Sequence, residues 1–147
     1  MKLWHGGASF RKPGELLLPP SVTGFLATSG AISRAEGHSA ITYREDRVYV
    51  TSDRDAGMAF AAYWTRRSPK QPGSLYEIQV EDDLLEPDTD LISSPGLAFQ
   101  VPAARVVAIE ARWVKWLPVH QAKILDLLRR NEAARLAKVA LRESQDV

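Results

Sequence analysis

The chain has 147 residues, 45% of them hydrophobic and 25% charged, the make-up of one globular domain with enough length to bury a core. Its net charge of +1 creates no field favouring nucleic acid or an anionic membrane, and the absence of cysteine excludes disulfides, thiolate nucleophiles and the usual structural zinc sets. No apolar run approaches the ~20 residues of a membrane-spanning helix. His5, Gly6 and Gly7 also interrupt any signal-peptide core, so the expectation is a soluble cytoplasmic protein of one domain, residues 1–147, with no membrane partner.

Lys2-Leu3-Trp4-His5 predicts a first strand ending at Gly6-Gly7, where missing side chains permit a sharp turn or a close approach of ligand to backbone. Pro13, Gly14, Pro19, Pro20 and Gly24 exclude a long element over residues 8–24, leaving room for a brief edge strand at Gly14-Glu15-Leu16-Leu17-Leu18. Residues 25–46 are weakly patterned and predict a loop with room for one short helix. In Arg47–Thr51 the residues Arg47, Tyr49 and Thr51 alternate with Val48 and Val50, the period of a strand. Ser52 with Asp55 then forms a capping-box pattern, and Ala56, Ala59, Phe60, Tyr63 and Trp64 fall on one face of a helix. Beyond the turn at residues 68–73, Ser74–Val80 alternates as a strand, and Glu81–Asp90 reads as an acidic loop broken by Pro87. Phe99-Gln100-Val101 is a short extended piece stopped by Pro102, and Ala104–Ala111 is a further β-rich run. The C-terminal segment, residues 119–147, turns helical, with Ile124, Leu125, Leu128, Leu136 and Val139 as its apolar side and Asp126–Arg130 and Glu132–Arg135 as local ion pairs. Its Arg and Lys residues are interspersed with acids, so a solvated face is preferred to a nucleic-acid surface. Strands, one helix, more strands and a terminal helix together predict an α+β fold.

Common catalytic devices are missing: there is no GxGxxG, no GxxxxGK[ST], no HExxH and no GxSxG. His5, His38 and His120 are too scattered to predict a metal site. What remains is dispersed: His5 at the first strand, Tyr49 in the second, and Glu86 and Asp88 after the third.

Taken in order, LWHGG, VYVTS with its following helix, and YEIQV leading to LEPDTD resemble the His–Tyr–acid pattern of ADP-ribosyltransferases. Within these the chain is most similar to the small bacterial rifamycin ADP-ribosyltransferases, and the similarity continues through FQVPAARVVAIEARW and the terminal LDLLRR. The resemblance implies a split, bent antiparallel-type sheet whose cleft holds NAD, here a substrate. His5 would hydrogen-bond the adenosine ribose, the Gly6 backbone would hold the nicotinamide carboxamide, and Tyr49 would line the nicotinamide and its ribose with Phe60 closing the other side. Asp88 best matches the catalytic acid and Glu86 competes with it. The chemistry suits these types, because breaking the nicotinamide–ribose bond builds an oxocarbenium-like charge that a carboxylate favours.

This sequence departs from the family at Gly7, where Thr or Ser is frequent, and at Thr89, where proline is common. In other branches of the fold the acid comes from a later strand, where this chain has Gln100, which supplies no charge. The implied activity is mono-ADP-ribosyl transfer to an acceptor hydroxyl, with a rifamycin-type antibiotic as the acceptor and no metal. The rivals are transfer to protein or nucleic acid, as by a toxin, and a catalytically silent NAD-binding module. RNA 2′-phosphotransferases share the fold but use a second histidine that VYVTSDRD lacks.

Overall fold

A computed structural model describes residues 1–19, 21, 46–87 and 97–145. Within them the fold is α+β. The strands are β1 (Leu3–Ala8), β2 (Leu16–Leu17), β3 (Val48–Thr51), β4 (Gly73–Gln79), β5 (Glu86–Pro87), β6 (Ala98–Val101) and β7 (Ala104–Ala111). The helices are α1 (Arg54–Arg67) and α2 (Pro118–Gln145), with a short 3-10 turn at Asp82–Leu84. These strands form one sheet in the order β2-β7-β4-β1-β3-β6-β5, with every described pairing antiparallel.

The ladder is uneven. β1 pairs with β4 along its whole length, from Leu3 opposite Ile78 to Ala8 opposite Gly73. On its other side β1 meets β3 only where Trp4 faces Thr51. From His5 onward, therefore, no strand is paired to that edge of β1 among the described residues, and a seam opens between β1 and β3. Register shifts in the β4–β7 pair, between Leu75 and Tyr76 and again between Glu77 and Ile78, add local twist to the other half of the sheet.

Pleating sends alternate side chains to opposite faces. One face carries the apolar core: Leu3, Val48, Val50, Tyr76, Ile78, Val101 and Val106. The other receives α1, which seats on β1 and β4. The seat is too close for ordinary side chains: a Cβ on Gly6 would stand 2.1 Å from the Gly57 carbonyl oxygen, and one on Gly73 would stand 2.2 Å from that of Ala61. Strand β1 consequently runs through Gly6 and Gly7 instead of ending at them, because Gly6 admits the helix and extended backbone suits both glycines.

Helix α1 begins one residue later than the capping-box pattern predicts. Asp53 is the cap, its carboxylate accepting from the backbone N–H of Asp55 and Ala56 at 2.9 and 3.2 Å. Ser52 is drawn elsewhere: its backbone N–H donates to the Leu97 carbonyl at 2.9 Å. Burial on α1 also extends beyond the expected stripe. Ala61 and Ala62 are fully enclosed along with Ala56 and Ala59, because α2 covers the side that the sheet does not.

Pro87 does not break the acidic segment into loop throughout; Glu86-Pro87 forms edge strand β5, a position where a residue without N–H is tolerated. Helix α2 opens at Pro118, which suits a first helical position. Its buried residues are Leu127 and Asn131, with Ile124 and Leu128 half-buried beside them, whereas Leu125, Leu136 and Val139 are exposed. The expected apolar side is thus corrected to the seam at 124, 127, 128 and 131. The ion pairs Asp126–Arg130 and Glu132–Arg135 both form on the exposed surface. No helix among the described residues is long and apolar enough to cross a membrane. The loop expected over 25–46 lies, apart from Asp46, outside the described residues.

Candidate functional site at the seam between β1 and β3

The seam brings together residues 44 positions apart. The Nδ1 atom of His5 lies 2.8 Å from the Tyr49 carbonyl oxygen. A carbonyl only accepts, so Nδ1 carries the proton. His5 is half-buried, and desolvation pushes its pKa below the ordinary histidine value; the Tyr49 bond opposes this and the Arg11 charge adds to it. The imidazole is therefore neutral at pH 7, and Nε2 offers a bare lone pair to a donor such as a hydroxyl. Gly7 makes room for that ring. A Cβ there would stand 2.7 Å from His5 Nε2, so any larger residue at this position would displace the imidazole from its place.

Tyr49 belongs to a row across three strands. It is the register partner of Gln100 on β6, and Gln100 is the register partner of Glu86 on β5. Directly paired residues share a face, so Tyr49, Gln100 and Glu86 line up side by side, with Tyr49 and Glu86 about 10 Å apart along the row by strand spacing. Gln100 is 3% exposed, and its Nε2 donates to Glu86 Oε2 at 3.2 Å. The same carboxylate oxygen lies 3.8 Å from Arg47 Nε. Two buried atoms here have no hydrogen-bond partner among the described residues, Arg47 Nε and Gln100 Oε1. Exchanging the amide ends of Gln100 would set two acceptors against each other, so the carboxylate fixes the amide with its oxygen turned away from Glu86.

The other expected residues are placed as follows. Gly6 lies on the α1 side of β1, where its missing side chain admits the helix. Phe60 is half-buried on α1, one turn beyond Gly57, and so shares the side of the helix that meets Trp4, Thr51 and Leu75. Thr51 faces this helix, and strand alternation puts Tyr49 on the same side of the sheet as Phe60. His5 lies on the opposite face from the Tyr49 side chain, and its contact with Tyr49 is to the backbone carbonyl. Asp88, with Thr89, lies outside the described residues. Two couplings result: His5 with the Tyr49 backbone, and Tyr49 with the Gln100–Glu86 pair. Sequence reasoning did not foresee that Arg47 holds Glu86, although its alternation with Tyr49 in the strand pattern already put the two on one face.

Among the described residues no group of three or more His, Cys, Asp or Glu gathers that could hold a metal ion. Neither a protein-family model nor a curated protein matches the chain.

Proposed function

We propose that the protein is an NAD-dependent mono-ADP-ribosyltransferase whose substrate site is the β1–β3 seam. The observation that carries this reading is the coupling of His5 to Tyr49 where the hydrogen-bond ladder between β1 and β3 lapses. A dinucleotide needs hydroxyl acceptors and an aromatic wall. The neutral Nε2 of His5 supplies the first, and Tyr49 with Phe60 on the α1 side supplies the second.

In the reaction the bond from ribose C1′ to the nicotinamide nitrogen breaks, and its electron pair neutralises the pyridinium as nicotinamide departs. An acceptor oxygen forms the new bond to C1′, and its proton passes to solvent or to a basic group. Positive charge on the ribose rises between these events, and a carboxylate from the segment Glu86–Asp88 stabilises it. A rifamycin-type antibiotic is the proposed acceptor, on the resemblance of the chain to the enzymes that modify it.

The test is nicotinamide release from NAD by the purified protein, followed by mass analysis of rifampin incubated with both. Release that is lost in Asp88→Asn and kept in Glu86→Gln assigns Asp88 as the acid; the reverse assigns Glu86. A mass gain on rifampin of one ADP-ribose supports the acceptor, whereas label on protein or RNA instead rejects it. NAD that binds without any release, with binding lost in His5→Ala, refutes transfer and leaves a binding module.

A further inference from the structure

A net charge of +1 conceals a segregation of charge along β4. Residues 77–86, from the far end of that strand through the 3-10 turn, carry five acids and no Lys or Arg. The segments at its near end, 63–74 and 111–120, carry Arg66, Arg67, Lys70, Arg112 and Lys115 and no acid. Hydrogen bonds tie these two segments together. Val114 N–H donates to the Gly73 carbonyl at 2.8 Å, and Thr65 Oγ1 links the N–H of Gly73 with the carbonyl of Val114 at 2.8 and 2.6 Å. All five cations are exposed, so the end of the sheet where β4 begins is a basic pole.

Two aromatic rings stand on the same pole. Phe10 and Trp113 are the non-glycine residues with positive φ among those described, at 70° and 52°, a conformation that a bulky side chain adopts only under strain. They are 76% and 59% exposed, so core burial does not offset that strain. One chain of buried hydroxyls holds both. The Trp113 N–H donates to Ser74 Oγ at 3.2 Å, Ser74 donates to Ser9 Oγ at 2.7 Å, and Ser9, the neighbour of Phe10, donates to the Pro72 carbonyl. Beside them the Arg66 guanidinium lies over Tyr63 and Trp116, 5.8 and 5.5 Å from the ring centres, which keeps a planar cation in place at the surface. Each exposed ring is flanked by cations, Arg11 and Lys12 beside Phe10 and Arg112 and Lys115 about Trp113. Such interleaving suits a polyanion with unstacked bases better than an anionic membrane, which takes up one gathered apolar face.

We propose that this pole binds single-stranded nucleic acid: Trp113 and Phe10 stack on bases while Lys70, Arg112 and Lys115 meet the phosphates. Binding there requires no NAD, so the inference goes beyond the transferase reading and stands apart from it.

Fluorescence anisotropy of a labelled oligothymidylate, titrated with the full chain in the absence of NAD, tests this, with melting curves to show that each variant is folded. The unaltered protein should bind the single strand at about 50 mM salt and a duplex of equal length more weakly, and added salt should weaken binding with a logarithmic slope of about −0.7 per phosphate met. Trp113→Asn, whose new side chain tolerates positive φ, should weaken binding on the order of tenfold at an unchanged slope, and Trp113→Phe should retain full affinity. Phe10→Asn makes the same test on the more exposed ring, where folding is least at stake. Arg112→Gln with Lys115→Gln should make the slope shallower by about 1.4, the share of two phosphates. No binding of the single strand overturns the proposal. So does full affinity in both Trp113→Asn and Phe10→Asn, which would show an effect of charge alone. Capture by phosphatidylserine vesicles without binding of the oligonucleotide also overturns it and makes the pole a membrane surface. NAD is absent throughout, so these failures are distinct from failure of the transferase reading, which nicotinamide release decides.

Discussion

At the scale of single residues, the two adjacent glycines of β1 have different roles, and substitution separates them. Alanine at Gly6 drives a methyl into the α1 backbone, 2.1 Å from the Gly57 oxygen and 2.7 Å from the Ala61 nitrogen, and neither atom can step aside. Gly6→Ala should therefore lower stability by about 3 kcal/mol, the upper end of ordinary overpacking, in a urea titration. The first obstacle at Gly7 is the far end of the His5 side chain, at 2.7 Å, which can swing away. Gly7→Ala should melt within a few degrees of the unaltered protein and, on the proposed function, weaken NAD binding, because the imidazole leaves its place. Equal loss of stability in the two variants would refute this division. His5 adds a pH signature. Its folded pKa is held below the ordinary value of 6.5 by burial, so below that pH the unfolded chain takes up a proton that the folded chain refuses. Stability should then fall as pH drops from 6.5 toward the folded value and stay level above it. His5→Asn, whose amide N–H can also serve the Tyr49 carbonyl, should flatten the part of the Tm–pH curve that belongs to this group; an unchanged slope between about pH 5 and 6.5 would show that another histidine sets it.

At the scale of elements, Asp53 joins α1 to α2. Its carboxylate caps α1, and the Lys123 ammonium on α2 approaches it to 2.9 Å. Burial pushes the Asp53 carboxyl up, but the Lys123 bond and the N–H groups of Ala56 and Asp55 outweigh it and hold the pKa below the ordinary value of 3.8. That contribution is present above pH 3.8 and is lost as pH falls through the folded value. Asp53→Ala removes cap and ion pair together and should cost about 2 kcal/mol, whereas Lys123→Met leaves the cap and should cost under about 1 kcal/mol. A chemical-denaturation series at pH 7 distinguishes them, and a Lys123→Met cost equal to that of Asp53→Ala would show that the helix–helix tie matters more than the cap. This arrangement also shows where the sequence is readable. The longer strands are marked by their alternation, and both helices by their periodicity, because those signals are local. The cap is Asp53, whereas the Ser52 hydroxyl and N–H both turn to the Leu97 carbonyl, a contact 45 residues away that no local pattern carries. The buried face of α2 differs from the expected one for the same reason: Leu125, Leu136 and Val139 are as apolar as Leu127, and only the position of α1 decides which of them is covered.

At the scale of the whole molecule, His5, Tyr49 and Glu86 are recognisable as types in the sequence, but their placement depends on strand order, which composition does not encode. The placement has a mechanical consequence. By backbone hydrogen bonds the sheet nearly divides at the seam, with β2, β7, β4 and β1 on one side and β3, β6 and β5 on the other. By apolar packing it does not divide, because one core cluster holds Leu3, Tyr76, Ile78 and Val106 from the first side and Val48, Val50 and Val101 from the second. Burial of this cluster outweighs one strand pairing, since each core side chain contributes roughly 1.5–3 kcal/mol and a backbone hydrogen bond nets about 1. The chain should accordingly unfold as one unit, with local opening confined to the seam. Val101, fully buried on β6, provides the test. Val101→Ala deletes two methyl groups from the shared core and should cost about 2 kcal/mol from transfer and cavity together. If the core is one body, hydrogen exchange by global opening will accelerate in β4 as much as in β6, although β4 lies on the far side of the seam. Acceleration limited to β3, β5 and β6 would mean that the seam divides the protein into separately unfolding halves, and that the proposed substrate would fasten two bodies instead of filling a cleft in one.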